Sequence, residues 1–99
     1  MALGKSELKA IQDKVFENLS KASFKYSSID IIELNGRLYF NFKDITHPYF
    51  KNIIIISHDC TVQDTSLFTK VIINLRFLYN NRKSPIIGHN LTTIKLTLS

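Results

Sequence analysis

The chain has 99 residues, a formal net charge of +5, 44% hydrophobic and 21% charged residues, and a single cysteine. That size and balance fit one globular domain over residues 1–99 with a core of its own, and argue against a disordered chain. One cysteine excludes an internal disulfide, no apolar run is long enough for a membrane span, and Met1-Ala2-Leu3-Gly4-Lys5 lacks the apolar core of a secretory signal, so a cytoplasmic, reducing compartment is expected.

Fourteen Ile, ten Lys and eight Asn stand against three Ala and three Gly, a bias that points to an AT-rich source, viruses and phages included. Charge is unevenly spread. Up to Asp64 there are eight Lys/Arg and eight Asp/Glu. After it come Lys70, Arg76, Arg82, Lys83 and Lys95 and no acid, so the last third carries the whole net charge. Such a bias suits a polyanion partner, and equally a solvated surface.

Ser6 is placed to cap a first helix, with Glu7 favourable against its dipole. Leu8, Ile11, Val15, Leu19 and Ala22 recur at helical spacing, and Glu17 and Lys21 form an i,i+4 pair. The helix should end near Ala22 or Ser23.

Residues 29–42 read as a hairpin, because Asn35-Gly36 suits a two-residue loop with positive φ. The loop sets Ile29 opposite Phe42, Ile31 opposite Phe40 and Glu33 opposite Leu38. One face is then apolar. The other carries Asp30, Ile32, Leu34, Arg37, Tyr39 and Asn41, a half-apolar mixture.

Residues 43–50 form a connection marked by Pro48. Ile53-Ile54-Ile55-Ile56 reads as a strand buried on both faces in the middle of a sheet. Residues 57–64 read as a polar loop, with Asp64, Thr65, Ser66 or Thr61 as the cap of a second helix over 65–79. Phe68, Val71, Ile72, Leu75, Leu78 and Tyr79 make its main stripe, and Ile73 and Phe77 a second apolar pair. Asn80 to Pro85 is a basic loop. Ile86 and Ile87 suit a short strand, and residues 92–98 alternate as an edge strand bearing Lys95.

The expected fold is α+β, in the order α-β-β-β-α-β, with a mixed four-stranded sheet and two helices packed on it. The restriction-type nuclease core has the same element order. Its metal site needs Asp/Glu-x-Lys on a strand, whereas here that spacing occurs only at Glu7-Leu8-Lys9, in the first helix. Double-stranded RNA-binding domains share α-β-β-β-α, but their second helix opens on lysines where this chain has Thr65-Ser66-Leu67-Phe68.

His58 and Cys60 share one side of an extended segment, and a buried packing role suits the thiol better than catalysis. His47, His58, His89 and Cys60 match no zinc spacing. No catalytic residue, metal or cofactor is therefore expected.

The leading expectation is a small non-enzymatic binding or assembly module that forms a homodimer through Ile73, Phe77, Ile32, Leu34 and Tyr39, without membrane contact. The alternative is sequence-nonspecific binding of DNA or RNA by Lys70, Arg76, Arg82, Lys83 and Lys95, with Tyr49 and Tyr79 as stacking groups.

Overall fold

The computed structural model describes residues 4–35 and 37–98. One helix, α1 (Lys5–Lys21), is followed by five strands: β1 (Ser28–Leu34), β2 (Arg37–Lys43), β3 (Phe50–Asp64), β4 (Thr69–Asn81) and β5 (Ile87–Leu98). They form a two-stranded sheet, β1-β2, and a three-stranded antiparallel sheet, β3-β4-β5. The expected four-stranded mixed sheet with two helices is therefore corrected to one helix over two sheets.

The first helix lies where its periodicity puts it, with Ile11, Val15 and Leu19 buried and a Lys21–Glu17 ion pair at 3.2 Å on the wet side. Its N-cap is Gly4, not Ser6. The Ser6 hydroxyl donates instead to the Glu7 carboxylate at 2.8 Å, and this bond, with a backbone bond, holds the Glu7 carboxyl below its usual range. At the other end the Phe24 N–H reaches the Leu19 carbonyl and the Ser23 N–H the Ser20 carbonyl, with Ser23 at φ 71. That is a Schellman stop with serine where glycine is usual.

The hairpin has the expected register: Ile29 pairs with Phe42, Ile31 with Phe40 and Glu33 with Leu38. Asn35 takes φ 53, as a two-residue loop requires. Gly36, the other loop residue, lies outside the described residues. Leu38 and Phe40 are buried on the inner face.

The largest correction concerns residues 57–81. The expected polar loop is the second half of β3, and the expected second helix is β4, the central strand of its sheet. Val71, Ile73, Leu75 and Phe77 are all fully buried, at every second position. A helix would leave Ile73 and Phe77 off its main stripe. Burying each is worth about 2 kcal/mol, while helix propensities differ by well under 1 kcal/mol per residue. The β-branched run Val71-Ile72-Ile73 also favours the strand.

Thr65 shows why the segment looked like a helix start. Its hydroxyl accepts the N–H of Phe68 at 3.1 Å and of Leu67 at 3.3 Å, as an N-cap would. Its own N–H goes to the Phe68 carbonyl, and the Thr69 hydroxyl to the Asp64 carboxylate. The same capping chemistry closes a β-hairpin turn.

The isoleucine strand is an edge strand, not the sheet's middle. Ile53 and Ile55 pack on the core, whereas Ile54 and Ile56 are 55% and 47% exposed. Register shifts between Lys51 and Ile54, and between Ile55 and Ser57, bulge β3 along this run. The expected short strand at 86–87 and the strand at 92–98 are one strand, β5.

One core joins these parts: Ile11, Val15 and Leu19 of α1, Leu38 and Phe40 of the hairpin, and the inner residues of β4 and β5. Phe24 stacks on Phe77 at 5.2 Å, and Phe50 on Tyr79 at 3.8 Å. His47, buried between them, stacks on Phe50 at 4.2 Å. Its Nε2 lies 3.0 Å from the Ala22 carbonyl, which can only accept, so Nε2 carries the proton and Nδ1 accepts the Tyr49 N–H at 3.1 Å.

Candidate binding surfaces

The core covers only one face of the three-stranded sheet. On β4 the buried residues are the odd-numbered ones, so Lys70, Ile72, Asn74, Arg76, Leu78 and Asn80 lie on the open face. Pairing adds Asp59 and Ile54 from β3, and Ile87, His89, Leu91, Thr93, Lys95 and Thr97 from β5.

Lys70, Arg76 and Lys95 thus share a face. Lys70 and Arg76 are six positions apart, which separates them on a helix and aligns them on a strand. Lys51, opposite Asn80, joins the same face, and Asp59, opposite Asn74, is the one acid there among the described residues. Arg76 donates to His89 Nδ1 at 3.3 Å across the strands. Arg82 and Lys83 sit apart, in the turn between β4 and β5. The stacking pair is split: Tyr79 is folded inward against Phe50, while Tyr49 is 63% exposed.

The self-association candidates also divide. Ile73 and Phe77 are at 0% exposure inside their own core and offer no surface to a second copy. Strand alternation turned them inward, where helical spacing had turned them out. Ile32, Leu34 and Tyr39 do lie on the outer hairpin face, all exposed, although the Tyr39 ring also meets the His58 ring edge-on at 5.1 Å.

Two features escaped the sequence reading. The first is the apolar part of the open face, where Ile54, Ile87 and Leu91 are each more than half exposed. The isoleucine run hid Ile54 by reading as a doubly buried strand, and the helix assigned to β4 hid the face itself. The second is the edge of β5. All 12 of its residues lie in an unbroken register with β4 or end it, and its other side pairs with no described strand. It carries one charge, Lys95, and no proline. Native edges are usually blunted by bulges, prolines or several charges.

The groups with chemical potential are dispersed. His58 and Cys60 lie on the inner side of β3, opposite Leu75 and Ile73. Burial, then the Asp59 carboxylate, pushes the Cys60 thiol up, away from a reactive thiolate. Among the described residues no three His, Cys, Asp or Glu side chains gather as a metal set would. A half-enclosed cleft of about 290 Å³ runs between β2 and β3, walled by Phe40, Phe42, Ile53, Ile55 and Phe77. No helix among the described residues is long and apolar enough to cross a membrane. No protein-family model matches the chain, and comparison with curated proteins and with solved structures found no match.

Proposed function

We propose that this protein is a small non-enzymatic assembly module that self-associates by pairing the β5 edges of two copies. The observation that carries the reading is the β5 edge itself, 12 residues long, without a bulge and unpaired on one side among the described residues. A strand of that kind leaves a row of backbone donors and acceptors for another chain. Antiparallel pairing of β5 with its own copy is isologous, closes after two subunits and joins two three-stranded sheets into one of six strands. A two-fold axis near Leu91 or Thr93 keeps Lys95 away from its own copy and brings Leu91 of both copies into the joint. Ile32, Leu34 and Tyr39 of the hairpin remain a further contact surface for larger assembly.

The test is the mass in solution. Sedimentation at micromolar concentration should give about twice the 11.4 kDa of one chain. Ile87→Lys with Leu91→Lys places charges on the edge strand at two exposed positions, 65% and 53% accessible, outside the buried core. This variant should sediment as a folded monomer that keeps the β-sheet circular dichroism of the wild type, with a thermal midpoint that no longer rises with protein concentration. A wild-type chain that is a monomer at every concentration would end the proposal.

A second reading is supported by Lys70, Arg76 and Lys95 sharing the open sheet face. Four cations with Lys51 against one acid suit the phosphate backbone of DNA or RNA. With Tyr79 turned inward, base stacking contributes little, so affinity would be sequence-independent and steeply salt-dependent. Lys70→Gln with Lys95→Gln should weaken binding alike for all sequences and flatten the salt slope.

A further inference from the structure

The turn between β4 and β5 borders a shallow, open bowl of about 550 Å³, lined by Lys51, Arg82 and Lys83 together with three asparagines, Ser84 and Pro85. We infer that this bowl is a site for a phosphate dianion, carried by a small phosphomonoester or present as inorganic phosphate. The inference is separate from the self-association reading and does not use the β5 edge; it shares Lys51 and Asn80 with the end of the open sheet face.

The loop is built rather than slack. The Asn81 N–H donates to the Ile86 carbonyl at 3.1 Å and the Arg82 N–H to the Tyr49 carbonyl at 3.0 Å. The Lys83 N–H donates to Asn81 Oδ1 at 2.9 Å, and the Ile86 N–H to Ser84 Oγ at 3.3 Å. Beside it Asn52, at φ 55, donates its Nδ2 to Asn80 Oδ1 at 3.2 Å.

These bonds consume acceptors. Asn80 and Asn81 both use Oδ1, so each keeps an Nδ2 donor with no partner among the described residues. Ser84 accepts through Oγ and keeps its O–H to donate. Arg82 is fixed by its Nε, which donates to the His47 carbonyl at 3.3 Å, and its terminal nitrogens are left for a second, forked contact. His47 is itself held at both ring nitrogens. The lining thus offers donors from three cations, two amides and a hydroxyl, and no carboxylate. A dianion with several acceptor oxygens answers that arrangement, and a cation or neutral apolar group does not.

The test is a chemical-shift titration of the isotope-labelled full chain at pH 7.5 and constant ionic strength. Inorganic phosphate and phenyl phosphate are the probes, with chloride as the balancing salt. Saturable shifts confined to residues 51–52 and 80–85 are expected with phosphate and not with chloride. Lys51→Gln with Lys83→Gln removes two exposed charges without touching a side-chain bond and should weaken binding at least about tenfold. Arg82→Lys keeps the charge but loses the fork, and should weaken it by a similar factor. Lys70→Gln with Lys95→Gln should leave it unchanged. Tighter binding of phenyl phosphate assigns the site to a phosphomonoester, and equal binding to inorganic phosphate. Shifts spread equally over Lys70, Arg76 and Lys95, or affinity unmoved in the Lys51/Lys83 variant, would overturn the inference.

Discussion

Ser23 holds φ 71 at the stop of α1, a backbone conformation that glycine adopts without strain. Its side chain is exposed and forms none of the described hydrogen bonds. Ser23→Gly should therefore stabilise the protein by about 0.5–1 kcal/mol, read as a raised urea midpoint with unchanged slope. His47 is the opposite case, a polar side chain whose two nitrogens are both committed in a nearly closed site. His47→Leu keeps the volume but strands the Tyr49 N–H and the Ala22 carbonyl, and should cost about 2 kcal/mol or more in the same measurement. Neither role was legible in the sequence. Ser23 could be seen only as the end of a helix, and His47 only as one of three scattered histidines. His47 depends on chain segments that meet in space, Ala22 with His47 and His47 with Arg82, whereas Ser23 depends on a left-handed backbone that serine seldom adopts.

Among the elements, the hairpin was legible down to its register because one local feature, the Asn35-Gly36 loop, fixes every pair that follows it. The first helix was legible because its apolar spacing admits one period. Residues 57–81 were not, because their patterns admit two. Val71, Ile72, Leu75 and Leu78 satisfy a helix, and Val71, Ile73, Leu75, Phe77 and Tyr79 satisfy a strand. His58 and Cys60 counted as polar, yet they alternate with Val62 toward the inside of β3. The strand assignment makes a prediction at Gly88. It pairs with Tyr79, and a Cβ there would sit 2.8 Å from the tyrosine ring. Stacking on Phe50 blocks the ring's retreat. Gly88→Ala should destabilise the protein by about 1–3 kcal/mol, with the loss visible as a lowered thermal midpoint.

For the whole molecule, the long strands decide the shape. The chain extends 50 Å along one axis and about 20 Å along the others. A sheet that long, covered on one face, leaves the other face to solvent and the outer edge of β5 unpaired among the described residues. The basic third of the sequence was legible as a charge bias, and its division between a sheet face and a turn was not, since that depends on β4 being a strand. Amide hydrogen exchange reads edge pairing through β5 at the strand itself. In a free edge strand every second amide between Ile87 and Leu98 faces away from β4 and exchanges quickly. These alternate amides should become protected as protein concentration rises into the range where the mass doubles, and lose that protection in Ile87→Lys with Leu91→Lys. Fast exchange of the alternate β5 amides in a sample shown to be dimeric would contradict edge pairing.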